Sequence, residues 1–181
     1  MPANAASDDR RSFLLKSFSA SAAAWLTANW PAQVAAAEMA QKTGGFTYFT
    51  PQQAREIDAM AAQIYPATDT PGAREAQVIY FIDLGLVTFA ADKQSVYDAG
   101  FGELTRASGG KSFAALPPGE QIRVLTAIEK TVFFKTVRDH TVMGMFAAPQ
   151  HGGNFQKTGW RQIGFDDSLN FRSPFGAYDR A

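Results

Sequence analysis

The side chains best equipped for chemistry are two histidines, His140 and His151, with Asp139 and Asp166 near them in sequence. Imidazole and carboxylate together are the ingredients of a metal site or a general base. The spacing argues against both: the histidines stand eleven residues apart and flank a boundary containing Pro149, which is no known ligand spacing. Cysteine is absent, so there is no thiolate for an iron–sulfur cluster, no c-type haem attachment and no disulfide. A Gly-x-Ser-x-Gly elbow is absent as well. Gly152-Gly153-Asn154 belongs to neither the G-x-G-x-x-G nor the G-K-S/T pattern. It reads as a tight turn in which Gly supplies positive φ and Asn tolerates it, with the Asn154 amide able to bond backbone groups across an interface. Asp83, inside the apolar run from Val78 to Leu86, reads as a structural acid bonded to backbone or to a basic side chain. The expectation is that this chain holds no catalytic, cofactor-binding or metal site of its own.

The strongest functional signal lies near the start. Arg10-Arg11-Ser12-Phe13-Leu14-Leu15-Lys16 leads into an apolar, Ala-rich stretch. Paired arginines, then Phe13 and Leu14, make a twin-arginine export signal, a route taken by proteins that fold before export. The apolar part, Phe18 to Leu26, is too short and too interrupted by polar residues to anchor in a bilayer. Ala35-Ala36-Ala37 offers a small-x-small cleavage pattern before Glu38. Residues 1–37 are therefore expected to be a signal peptide, and 38–181 a single domain delivered to the periplasm. A signal for folded cargo on a chain with no evident cofactor site points to a hitchhiker pair, in which a cofactor-bearing partner rides with this chain.

The elements that must position these residues read as helical. Gly44 to Phe49 is an extended lead-in. Thr50 can cap a helix, Pro51 suits its first position and Gln53 completes a capping box. Ala54, Ile57, Ala61 and Ile64 continue at helical spacing to Tyr65-Pro66. A second helix is expected from about Ala73 to Ala91, apolar on nearly all sides and hence central or covered by a partner. A third runs from about Tyr97 to Ala107 and ends at Ser108-Gly109-Gly110. Pro117-Pro118-Gly119-Glu120 opens a fourth, and Val132 to Phe146 is a fifth stretch, continuous with the fourth or separate from it.

From Pro149 the character changes. Glycines at 152, 153, 159, 164 and 176 are interspersed with Phe155, Trp160, Phe165, Phe171, Phe175 and Tyr178. Helix is not expected through most of this tail. Irregular aromatic segments pack on their own core or on another chain. The expected fold class is thus a small, mainly α domain with an irregular aromatic- and glycine-rich C-terminal tail, preceded by the signal. Hydrophobic residues are 46% and charged residues 19%, a globular balance, and the net charge of +0 gives no sign of nucleic acid or an anionic membrane as partner.

Several of these segments together resemble the gluconate 2-dehydrogenase subunit 3 family. They are Phe46 to Thr50 with the helix after it, Ile64-Tyr65-Pro66-Ala67-Thr68-Asp69-Thr70-Pro71-Gly72-Ala73, Val78 to Asp83, and the series His151-Gly152-Gly153-Asn154, Trp160, Ile163-Gly164-Phe165. His151 stands where the family more often has another aromatic. The resemblance implies a small subunit that aids maturation, export and stability of a large FAD-containing dehydrogenase of the glucose-methanol-choline type. A multihaem cytochrome c subunit commonly anchors such a complex to the inner membrane, so this chain would meet the membrane only through the complex. FAD and the catalytic residues would belong to the large subunit. His151, Gly152, Gly153, Asn154, Phe155, Trp160 and Phe165 become the expected partner interface. Two other readings stay open on the residues alone: a self-sufficient periplasmic oxidoreductase using the tail's aromatics and histidines, and a free-standing periplasmic interaction module.

Overall fold

A computed structural model describes residues 44–165 and residue 167. The export signal at Arg10, Arg11, Phe13 and Leu14, and the tail aromatics Phe171, Phe175 and Tyr178, lie outside the described residues. The chain divides into two units after Gly45, and the second, beginning at Phe46, holds all the helices described. Its described residues are mainly α, without strands. The helices are α1 (Pro51–Ile64), α2 (Val78–Leu86), α3 (Gln94–Ala107), α4 (Pro118–Ile128), α5 (Val132–Phe146) and the short α6 (Thr158–Gln162). Single 3₁₀ turns occur at Ala91–Lys93, Phe113–Ala115, Pro149–His151 and Phe155–Lys157.

The first helix starts where its sequence says it should. Thr50 Oγ1 accepts from the Gln53 backbone amide at 3.2 Å, and Gln53 Oε1 accepts from the Thr50 backbone amide at 2.9 Å, closing the capping box. The second helix is shorter than the expected 73–91 span. Residues 73–77 form turns: Gly72 before them lies against the backbone of Pro66 and Ala67, and the Ala73 amide donates to the Tyr65 carbonyl at 2.9 Å. Gln77 then takes a left-handed φ of 54°, which a helix interior does not accommodate. At the other end Thr88 Oγ1 donates to the Leu84 carbonyl at 2.7 Å and the Ala90 amide to the Gly85 carbonyl at 2.8 Å, winding the chain off the helix axis. α3 begins earlier than Tyr97, at Gln94, whose side-chain amide donates to the Leu86 carbonyl at 2.7 Å. α4 and α5 are separate helices: Thr131 caps a fresh start by accepting from the Phe134 amide at 3.2 Å.

The apolar α2 is central, as its all-round pattern implies, and packs against α5 and α1. Of its nine residues all but Tyr80 are buried. α5 also meets α1 and α3, so it is the second hub. Gly100 on α3 leaves room for the Phe133 ring, where a Cβ would collide. Around that contact Phe49, Tyr97 and Phe133 form a chain of rings, with centroids 5.7 Å and 5.9 Å apart, within the range that favours edge-on and offset packing.

Asp83 is the one charge inside α2 and is 2% exposed. Its carboxylate accepts from three successive backbone amides: Thr47 at 2.6 Å, Tyr48 at 2.9 Å and Phe49 at 2.9 Å. The structural reading of this acid therefore stands, with backbone rather than a basic residue as its partner. The bonds turn the lead-in so that Phe49 enters the core and Phe46 stacks on Tyr80 at 5.2 Å. Tyr48 donates to Asp98 Oδ1 at 2.8 Å, and burial together with that bond pushes its pKa up to about 12.

Asp83→Asn keeps the shape but replaces one acceptor oxygen by a donor; with Oδ1 still serving Tyr48 and Phe49, the Thr47 amide loses its acceptor. An orphaned donor costs roughly 1–3 kcal/mol, so the variant is expected to lose about 1–3 kcal/mol in urea unfolding. A loss under about 0.5 kcal/mol would show that water replaces the carboxylate without cost.

Candidate functional site

The series Gly152-Gly153-Asn154 with Trp160 and Phe165 is where the sequence places function. It forms a knot against the C-terminal half of α5. Pro149–His151 turns the chain back, and Gly152 comes next at φ 98°, where a Cβ would sit 2.9 Å from the Tyr80 carbonyl. Gly153 lies on Gly144 of α5, and Gly159 on Met145; a Cβ at either would strike a carbonyl oxygen of α5. Gly144 in turn leaves space that Val78 and Phe81 of α2 fill, a Cβ there lying 2.9 Å from Val78 Cγ1. Backbone thus meets backbone across three segments, a geometry that side chains would forbid.

Asn154 holds the knot. It is fully buried, at φ 47°. Its Oδ1 accepts from the Gly159 amide at 2.7 Å and from the Trp160 amide at 3.4 Å, which serves the first turn of α6. Its Nδ2 donates to the Ala147 carbonyl at 2.9 Å, at the end of α5. The neighbouring Phe155 amide donates to the Ala76 carbonyl at 3.0 Å, stitching the tail to the turn before α2. Trp160 Nε1 donates to the Phe146 carbonyl at 2.7 Å, and its ring meets Phe165 edge-on at 5.0 Å. The Gln162 side chain accepts from the Tyr65 hydroxyl at 2.9 Å and donates to the Pro71 carbonyl at 2.6 Å. Among the described residues after Pro149 the one α-helix is the five residues of α6, in keeping with an expectation of no helix through most of this segment.

The expected interface residues therefore divide. Gly152, Gly153 and Asn154 are buried in the chain's own fold. His151 and Trp160 are half-buried, while Phe155 and Phe165 are exposed. Ile163 is 61% exposed beside Phe165 at 54%, and the knot so presents an apolar edge of Phe155, Trp160, Ile163 and Phe165. Ile163 belongs to the Ile163-Gly164-Phe165 series of the resemblance but not to the expected interface, and its exposure adds it to this edge.

The two histidines stand on different elements, His140 on α5 and His151 in the turn Pro149–His151. His140 is 8% exposed on α5, and its Nδ1 pairs with the Tyr97 hydroxyl at 2.9 Å, the two rings stacked at 5.9 Å. Burial lowers the His140 pKa, against a raising influence from Asp139. Burial, with a smaller push from Tyr48, raises the Tyr97 pKa, so the pair is neutral. His151 also has a pKa lowered by burial. Asp166 lies outside the described residues. Among the described residues no group of three or more His, Asp or Glu is placed to hold a metal ion. No helix among them is long and apolar enough to cross a membrane.

The fold and the knot together define a small helical domain whose irregular C-terminal segment is fixed to the helices through glycine backbone. The chain belongs to the gluconate 2-dehydrogenase subunit 3 family, whose model matches residues 51–167. That span takes in α1 to α6 and the whole knot. A family of that description is one subunit of a dehydrogenase that has others, a catalytic subunit among them. No curated protein and no solved structure matches the chain.

The glycine geometry sets two opposite outcomes. Gly159→Ala should cost about 3 kcal/mol, at the upper end of overpacking, because the clash is with backbone. Gly102→Ala, in exposed α3 with nothing within 4 Å of its Cβ position, should gain about 0.5–1 kcal/mol. Chemical denaturation of the two variants beside the parent checks both signs. The histidines set a pH dependence. Each is held below its unfolded pKa near 6.5, so the unfolded chain binds more protons in that range. Their contribution is complete above about pH 6.5 and is lost as pH falls from there toward the lower folded pKa values. His140→Gln should flatten the decline between about pH 7 and 5 in thermal melts; an unchanged slope would show that other groups carry it.

Proposed function

We propose that this chain is the non-catalytic small subunit of a periplasmic, membrane-associated, FAD-dependent sugar, alcohol or gluconate dehydrogenase. It supplies the twin-arginine export signal for the complex and stabilises or matures the flavoprotein catalytic subunit. FAD sits in that large subunit. Electrons leave through a multihaem cytochrome c subunit at the inner membrane.

The observation that carries this reading is the family match over residues 51–167, which makes the chain a dehydrogenase subunit. Two features support the division of labour. Two buried titratable side chains of the helical domain are tied to its own structure: Asp83 to three amides, His140 to Tyr97. The apolar edge at Phe155, Trp160, Ile163 and Phe165 is anchored by the knot yet left open. Aromatic side chains on a fixed support are the usual energetic centres of protein interfaces. The Arg10-Arg11 signal supports transport of a prefolded pair, since a flavin is loaded before export.

Replacing Arg10 and Arg11 by Lys should leave both this chain and the flavoprotein in the cytoplasm, read by fractionation and dye-linked dehydrogenase activity. A flavoprotein that reaches the periplasm at normal levels without the signal would end the hitchhiker reading. Trp160→Ala should weaken the complex by about 2 kcal/mol or more, roughly 30-fold in Kd, while the far-ultraviolet helical signal persists. Unaltered assembly with a melted domain would confine Trp160 to this chain's own packing.

A further inference from the structure

Glu56 of α1 is a buried carboxylate, 8% exposed, that enters no ion pair among the described residues. Its Oε1 accepts from the Ser112 hydroxyl at 2.5 Å and its Oε2 from the Ala114 amide at 2.9 Å. A carboxylate offers about four acceptor positions, so two remain. The described ion pairs, such as Arg74–Asp58 and Arg123–Glu120, lie elsewhere. Burial of an anion is costly without compensation, and two neutral donors supply only part of it.

Glu56 is also the acidic member of the lining of a cavity of about 290 Å³ between the start of α1, the C-terminal half of α3 and the turn at Phe113–Ala115. Phe101 and Thr105 of α3 form one wall, and Lys111 lies on the lining but pairs with no acid among the described residues. The volume falls just under the roughly 300–1,000 Å³ of sites that enclose drug-sized ligands and cofactors. It suits one inserted side chain. A buried anion beside an aromatic ring is the environment that a planar guanidinium satisfies, by hydrogen bonding to one and stacking on the other.

We propose that this cavity is a socket for an arginine side chain of the catalytic subunit, received by Glu56 and Phe101. The partner's identity rests on the reading of the chain as a small subunit; the chemistry of the socket does not. α1 is 14 residues long, about 21 Å at 1.5 Å per residue. Tyr65, just past its far end, bonds Gln162 of the knot. The socket and the apolar edge therefore belong to opposite ends of α1. The arginine would give orientation, and the edge most of the apolar burial. Such anchors at a buried counter-charge set dissociation more than encounter.

Two measurements separate the socket from the assembly. First, the isotope-labelled full chain is titrated with N-acetyl-arginine methylamide and with its neutral isostere, N-acetyl-citrulline methylamide, and amide shifts are followed. Saturable shifts at Thr105, Ser112 and Ala114 are expected with the arginine probe, at millimolar affinity, and at least tenfold weaker with citrulline. Thr105→Tyr, which fills the cavity without touching the bonds of Glu56, should abolish them, and so should Glu56→Gln. Equal response to the two probes, or none to either, overturns the socket. Second, the flavin-bearing catalytic subunit is bound to the parent chain and to Thr105→Tyr, with thermal melts of both. A tenfold or greater loss of affinity at unchanged melting temperature is expected. Equal affinity overturns the arginine contact while leaving the small-subunit reading intact. If the parent chain binds no flavoprotein, that reading fails and takes the partner arginine with it, while the first titration still judges the socket.

Discussion

Everything in this fold is arranged around an apolar helix that contains one acid. α2 is covered on nearly all sides, so Asp83 has no route to water and must find donors inside. The entering chain provides them as three consecutive amides, an arrangement of backbone dipoles that suits an anion. This bond set fixes the direction of residues 47–49, and Thr50 begins the capping box immediately after them. The register of α1 against α2 is thus decided by a carboxylate and not by side-chain packing alone. Glu56 repeats the device on a smaller scale, drawing the turn at Ser112–Ala114 onto α1. In both places an irregular segment with no helical partners for its amides is held by an acid projecting from a helix; Asp83 takes three amides, whereas Glu56 takes one hydroxyl and one amide.

α5 solves a different problem, that of fixing a tail that cannot itself form much regular structure. Close approach requires that no Cβ intervene, so Gly144, Gly153 and Gly159 occur where the segments cross. Asn154 then supplies the missing hydrogen bonds from one side chain, ending α5 with its nitrogen and starting α6 with its oxygen. Three non-glycine residues nearby, Asn154, Gln156 and Lys157, adopt left-handed backbone. Such conformations are unfavourable for L-residues and persist where surrounding contacts over-determine them. Lys157 is also tied to Asp167 at 2.6 Å, an exposed pair that adds little by itself.

Local chemistry is readable in the sequence, and long-range chemistry is not. The Thr50-Pro51-Gln53 start of α1 is encoded by neighbouring residues and appears as expected. The centrality of α2 is carried by its apolar run, which also narrows the partner of Asp83 to backbone or a base. Its ends differ from the expected span because Gln77, a tolerable helix residue, is forced left-handed by contacts between Gly72 and residues 66–67, which no local pattern contains. Gly152-Gly153-Asn154 reads as a turn, and Gly152 and Asn154 do take positive φ. That Gly153 is there for close approach to Gly144 depends on a chain reversal that no spacing rule encodes. Helical spacing sets Glu56 with Arg55 and Asp58 on the side of α1 away from Ala54, Ile57, Ala61 and Ile64, yet Glu56 is buried, because the turn at Ser112–Ala114 covers that position and no local pattern contains it.

The knot also explains how a segment with few regular hydrogen bonds can serve as a recognition surface. Ordering a flexible aromatic tail on binding would cost roughly 0.5–1.5 kcal/mol for each immobilised side chain. Here Trp160 is fixed beforehand by its indole bond to Phe146 and its edge-on contact with Phe165. Most of that cost is met when the chain folds. The glycines therefore act on binding without touching a partner: they let the tail lie on α5, and the tail holds its rings still. On the proposed reading this separates two tasks that compete in a small domain. Side chains inside are free to satisfy one another, with Tyr97 and His140 neutral and stacked. The apolar area needed for association is confined to an edge whose position is set by close backbone contacts and the bonds of Asn154.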